Sequence, residues 1–342
     1  MKKLLLITSL LLIFLVSGCN EKNITDINED TNKLKVYTTV YPLLYFTETI
    51  GGEYVDANTI YPNGADEHTY EPTQKEMMEI ADADLFFYIG EGLEGFVDKA
   101  KEALNSEKVA FVATAEDIVL HENTDHDHET DHKEDADTDS HDADHDHEAD
   151  HNHDADEDHD AESHEGHNHG DFDPHVWLDP LYAIELAQEI TKTLSLKLPE
   201  QATYFETNLE NLTSELEALN QEFATTLAAM PKKQFIVTHA AYGYWERYGI
   251  EQVSISGIDS SSEPSQKKLQ EIIELANKTN TNYVFIEQNT SSKLTDIVKN
   301  EIKGESLLLH NLSVLTIDDQ KNKETYFTLM RKNLTNLTTA LQ

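Results

Sequence analysis

A single cysteine in 342 residues rules out an intramolecular disulfide, so stability must come from a packed core and a bound ligand. Cationic residues are scarce too. There are 25 Lys and Arg against 66 Asp and Glu, a formal charge of −41, which argues against nucleic acid as a partner. No apolar stretch is long enough for a permanent membrane span. The run "LLLITSLLLIFLV" at 4–16 makes roughly 20 Å of helix, against roughly 30 Å of bilayer hydrocarbon. The pattern HExxH occurs only inside the His- and Asp-rich stretch 121–170, as "HETDH" and "HEADH", where no large apolar residue supports the packed helix that a zinc hydrolase needs, which disfavours metal-assisted hydrolysis.

Lys2 and Lys3 precede the apolar run and "VSGC" follows it, so residues 1–18 read as a signal peptide. "VSGC" resembles a bacterial lipobox, and that resemblance implies that Cys19 becomes a lipidated N-terminus. An acylated chain stays on a membrane without a further apolar segment. Residues 19–33, rich in Asn, Asp and Glu, then form a lipid-anchored polar tether.

The charge is unevenly spread. Between His121 and Asp171 there are 22 acids, one base (Lys133) and 13 of the 17 histidines. No apolar side chain larger than Ala occurs before Phe172, so 121–170 cannot build a core and is expected to be disordered without metal. Patterned sequence resumes on both sides, which makes the tract an insertion. Its paired histidines are candidate low-affinity zinc ligands: His126, His128, His145, His147, His151, His153, His167 and His169. Ordering such a chain around metal costs about 1–2 kcal/mol per residue, so these sites should be weaker than a preformed one. A plain acidic spacer and a sensor of metal excess are the other readings of the tract.

Outside it, strand-like and helix-like segments alternate, which points to an α/β fold with parallel-type sheets. Strands are expected at 33–43, 85–90, 108–114, 233–239, 251–256, 282–288 and 313–318. Helices are expected from Tyr41 to a stop at Gly51 and Gly52, from a Thr73 cap, and over 179–198 from Asp179 and Pro180. Further helices are expected over 261–280 with Pro264 near the start, over 291–302 and over 324–341. Phe205, Leu209, Leu212, Leu216, Leu219, Phe223 and Leu227 recur at three- and four-residue spacing, marking one long amphipathic helix that ends before Pro231. At roughly 45 Å it has the length of a stiff strut between two lobes. The expected organisation is a first lobe over 34–198, a linking helix over 199–231 and a second lobe over 232–342.

Four histidines lie outside the tract: His68, His175, His239 and His310. The first three sit in "GADEHTYEP", "DPHVWLDP" and "VTHAAYGY", where a strand has just ended or a turn begins, and Glu287 follows the apolar strand "YVFI" in the same way. Three imidazoles and a carboxylate suit four-coordinate Zn²⁺. The spacing alone leaves open three unrelated turn histidines held by backbone hydrogen bonds. Tyr70, Trp177, Tyr242 and Tyr244 lie near these motifs and read first as packing.

Seven segments, "KVYTTVYPLLYFTETIGGEYV", "GADEHTYEPTQKEM", "ADLFFYIGEGLEGFV", "DPHVWLDP", "THAAYGYWERYGI", "SGIDSSSEPS" and "VFIEQNTSSK", occur in the order found in the zinc-specific substrate-binding lipoproteins of bacterial ABC transporters. Over 34–120 and 172–342 the chain resembles that family, the ZnuA/AdcA type. The resemblance implies two α/β lobes joined by a long rigid helix, with the metal in the cleft between them. It also implies His68, His175, His239 and Glu287 as metal ligands. Where the family usually has Pro in "GADPH", this chain has Glu67, a competitor for the carboxylate position or a supporting group. A third imidazole favours zinc over manganese. His310 matches no family ligand and reads as structural.

The resemblance implies a monomeric, lipid-anchored protein on the extracytoplasmic face of a bacterial membrane. It would capture Zn²⁺ and hand it to a membrane-embedded ABC permease with a cytoplasmic ATPase, catalysing no reaction. A zinc-storage or adhesin lipoprotein built around the tract is the alternative, and a zinc hydrolase a weaker one.

Overall fold

The computed structural model describes residues 33–118, 172–258, 264–288 and 292–342. The expected signal peptide, Cys19 and all eight tract histidines named above lie outside the described residues.

The chain builds two four-stranded sheets. The first contains β1 (Leu34–Thr38), β2 (Val55–Thr59), β3 (Leu85–Tyr88) and β4 (Ala110–Ala113); the second contains β5 (Gln234–Val237), β6 (Glu251–Ser254), β7 (Tyr283–Ile286) and β8 (Glu305–Leu308). All pairings are parallel, and the two sheets share one strand order, β2-β1-β3-β4 and β6-β5-β7-β8. Order reverses between β1 and β3 and between β5 and β7. Crevices for ligands open at the carboxyl ends of strands at such reversals.

Helices α1 (Tyr41–Gly51), α2 (Gln74–Ala81) and α3 (Val97–Ala103) belong to the first sheet's connections, and α6 (Gln266–Thr279) and α7 (Lys293–Glu301) to the second's. α1 stops at Gly52, whose φ of 51 favours glycine. Thr73 starts α2 with a reciprocal capping box to Glu76. Asp179 caps α4 (Pro180–Lys197), accepting from Leu181 N at 2.8 Å.

α5 (Ala202–Ala228) is the long helix expected from the apolar spacing. It is not a free-standing strut, because its buried row of Phe205, Leu212, Leu216, Leu219, Phe223 and Leu227 belongs to the main core, together with residues of both sheets. One end meets the first half through Phe205 against Tyr54 (6.0 Å between ring centroids), and the other meets the second through Phe223 against Trp245 (5.5 Å). A smaller core of Ile236, Ile255, Ile272, Ala276, Val284 and Val298 lies between the second sheet and α6 and α7.

Three elements differ from the sequence expectation. The final strand is β8, not 313–318. Leu307 and Leu308 pair with Phe285 and Ile286, whereas Leu312 turns the chain at φ 62 and a Thr316–Asp319 capping box starts α8 (Ile317–Asn322). β2, "VDANT", was not expected as a strand because it is an edge with only Val55 buried. α3 was missed because seven residues with Val97 and Ala100 buried carry little periodicity. The last helix, α9 (Tyr326–Leu341), lies within the expected 324–341.

Candidate metal centre

The three histidines reach one point from three separate connections. Beyond β2 the chain makes a tight turn in which the Asp66 carboxylate accepts from His68 N at 3.0 Å. His175 precedes the short 3-10 turn Val176–Leu178, and Asp173 accepts from its backbone N at 3.0 Å. His239 lies two residues beyond β5, at the carboxyl edge of the second sheet. All three are buried.

Their ring nitrogens converge. His68 Nε2 stands 3.2 Å from His175 Nε2, which stands 3.4 Å from His239 Nε2. Ligands at about 2.0–2.1 Å from a tetrahedral zinc lie about 3.3 Å apart, so these separations match two edges of that tetrahedron. Two of the rings are oriented from behind. Asp173 Oδ1 lies 2.7 Å from His175 Nδ1, and Glu287 Oε1 lies 2.5 Å from His239 Nδ1. A proton on each Nδ1, shared with its carboxylate, turns each Nε2 lone pair toward the point where the rings converge.

Two carboxylates flank the rings in different places. Glu67, His68, His175 and His239 each bring one ligand atom into a group in which all four lie within 4.8 Å of one another. Glu287 is equally buried but sits against the outer nitrogen of His239. Sequence reasoning assigned Glu287 to the ligand set with Glu67 as competitor; the geometry brings Glu67 into the converging group and Glu287 behind a histidine. His310 is far from this role, since its Nδ1 accepts from Leu312 N at 2.9 Å and its Nε2 meets Asp319 Oδ2 at 3.1 Å.

Burial sets the acidities of the metal-free cluster. It pushes the Glu67 carboxyl up to about 7, against the opposing pull of His239, and the Asp173 carboxyl also to about 7. For His239 burial acts downward, but the Glu287 carboxylate beside it prevails and raises the imidazole to about 9. A divalent ion entering at neutral pH therefore displaces a proton from His239 and favours the ionised carboxylates.

The aromatic residues close the site and carry polar handles. Trp177 packs with its ring centroid 5.3 Å from that of His175 and donates Nε1–H to Asn311 O at 2.7 Å. Tyr244 OH donates to Asp173 O, and Tyr242 OH to Leu309 O at 2.8 Å. Tyr70 stacks edge-on against Tyr61 at 5.1 Å. Asp179 Oδ2 binds Arg247 Nε at 2.8 Å, tying the segment after His175 to the second half.

Asp173 and Asn311 were missed as site residues. Asp173 sits inside "DPHVWLDP", so its position two residues before a candidate ligand histidine was available as a signal. Asn311 is 244 residues from Glu67, to which it donates, and nothing local in the sequence announces that contact.

The profile of the family described as zinc-uptake complex component A, periplasmic, matches residues 36–340. The chain belongs to that family. It is 33% identical over 341 residues to the zinc-binding lipoprotein AdcA of Streptococcus pneumoniae, covering 98% of this chain and 60% of that protein. It is 32% identical over 322 residues to the high-affinity zinc uptake system protein ZnuA of Bacillus subtilis, covering 94% of this chain and 92% of that one. The crystal structure of the Zn(II)-bound ZnuA-like domain of S. pneumoniae AdcA superposes with a TM-score of 0.67 at 30% identity, covering 90% of this chain and 99% of that domain. The chain thus spans about three fifths of the pneumococcal relative and nearly all of the Bacillus one. Within this uptake family the two α/β sheets and the long helix are the shared architecture.

Proposed function

We propose that this protein is the extracytoplasmic zinc-capturing component of an ABC import system, lipid-anchored through Cys19 and monomeric, and that it hands Zn²⁺ to a membrane permease driven by a cytoplasmic ATPase. Zinc is cargo here and is chemically unchanged by its passage. His68, His175 and His239 bind it through Nε2, with Glu67 as the fourth ligand. Asp173 and Glu287 hold His175 and His239 in the ligating tautomer. The observation that carries this reading is the convergence of three buried ring nitrogens at 3.2 and 3.4 Å with a buried carboxylate. Four protein ligands fill a zinc shell, which suits carriage, whereas catalysis keeps a position open for water. The family's zinc-uptake description and the zinc-binding relatives support the choice of metal.

The His-rich tract adds weaker binding capacity in this reading. Competition titration of the full chain and of a chain lacking 121–170 tests it. One tight zinc equivalent is expected in both, with the weaker equivalents lost in the deletion. Loss of nearly all zinc binding on deletion would instead support storage by the tract.

A further inference from the structure

Asn311, in the connection after β8, has every polar atom of its side chain engaged. Its Nδ2 donates to Glu67 Oε1 at 3.0 Å and to Glu287 Oε2 at 2.9 Å. Its Oδ1 accepts from Ser313 N at 3.0 Å, from Ser313 Oγ at 2.8 Å and from Gln288 Nε2. Its own backbone N–H donates to Gln288 Oε1 at 3.0 Å, and its backbone O accepts from Trp177. Ser313 N–H can only donate, so it must face Oδ1, and the amide cannot turn over without placing two donors together. The two Nδ2 protons are therefore committed to the two carboxylates.

Those carboxylates come from opposite halves of the fold. Glu67 lies in the connection after β2 of the first sheet, and Glu287 and Asn311 follow strands of the second. Two buried carboxylates beside three imidazoles could each swing toward a cation, and a site with both engaged would be over-filled for tetrahedral zinc. One amide that grips an oxygen of each removes that freedom.

We infer that Asn311 is a positioning residue that divides the labour of the two carboxylates, keeping Glu67 facing the ring nitrogens and Glu287 on His239, and that it latches the two halves across the site while doing so. The inference rests on the zinc-carrier reading above. Asn311 touches no cargo and acts through Glu67 and Glu287. Separating the halves breaks the Asn311–Glu67 bond, so opening of the cleft and loosening of the fourth ligand are one event.

Asn311→Asp tests this, because it keeps the size and the Oδ1 acceptor but replaces the shared donor with an anion. Zinc affinity should fall about 10- to 100-fold, the range found when groups supporting metal ligands are lost, mainly through faster dissociation. The visible ligand-field bands of the Co²⁺-loaded protein should shift as the carboxylate ligand is displaced, a change that a purely structural residue would not cause. Glu67→Gln should cost much less in the Asn311→Asp background than in the native chain, because the two act as a unit. Native affinity with an unchanged Co²⁺ spectrum in Asn311→Asp, or equal costs of Glu67→Gln in the two backgrounds, would overturn the proposal. If Asn311→Asp does not fold, the same readouts on the uncharged Asn311→Ser decide it. His175→Ala is the control for the parent reading: tight zinc retained there refutes the site itself, whereas zinc lost there with Asn311→Asp unchanged refutes only the role of Asn311.

Discussion

His175→Ala removes the tight zinc site and leaves most of the weaker binding in place. His175 is the fully buried middle member of the three, with its Nε2 3.2 Å from that of His68 and 3.4 Å from that of His239. Four-ligand zinc sites contribute roughly 10–16 kcal/mol, or about 3–4 kcal/mol per ligand, so losing one costs about 10²–10³-fold in affinity. The substitution also strips Asp173 of the partner at 2.7 Å for which it was buried, adding the cost of a stranded carboxyl. Competition titration against a chromophoric chelator reads the effect. A first zinc equivalent bound as tightly as in the native chain would remove His175 from the ligand set.

Glu67→Gln and Glu287→Gln form a pair with different expected sizes. If Glu67 completes the coordination shell, its amide should cost about 10²–10³-fold, as for any lost ligand. Glu287→Gln should cost about 10- to 100-fold, because it weakens only the hydrogen bond that orients His239. The reverse order would make Glu287 the ligand.

Stability separates the roles again. The folded Glu67 carboxyl lies at about 7, raised by burial, so the metal-free fold binds its proton more tightly than the unfolded chain does. That contribution is full at low pH and is lost as pH rises from the ordinary carboxyl range through about 7. Glu67→Gln should therefore hold or raise the melting temperature of metal-free protein at pH 8 while weakening zinc binding. A fall in that melting temperature would mean that Glu67 serves the fold rather than the ligand.

Much of this architecture was legible in the sequence, for identifiable reasons. Thr73 and Asp179 cap helices where local chemistry demanded it, and the apolar spacing from Phe205 to Leu227 reported α5 without any tertiary information. The histidines stood out because they lie where strands give way to turns, and the family resemblance joined them. What stayed hidden depends on contacts made at long range. β2 is a strand because β1 pairs with it, not because "VDANT" prefers to be one. The apolar residues of 313–315 imitate a strand, yet the turn at Leu312 and the cap at Thr316 leave them no ladder. The division of roles between Glu67 and Glu287 is of the same kind. Both are buried acids near a histidine, and only the folded geometry places Glu67 among the converging ligand atoms and Glu287 against His239 Nδ1.

The histidine that follows the acidic tract thus lies in a buried cluster assembled from the connections of both sheets. The most direct measurement of this is a crystal structure of the zinc-loaded chain lacking 121–170, with anomalous difference maps collected on both sides of the zinc K edge. One strong peak is expected, about 2.0–2.1 Å from Nε2 of His68, His175 and His239 and from one Glu67 oxygen. A peak elsewhere, or one lacking any of the three ring nitrogens, would contradict the account.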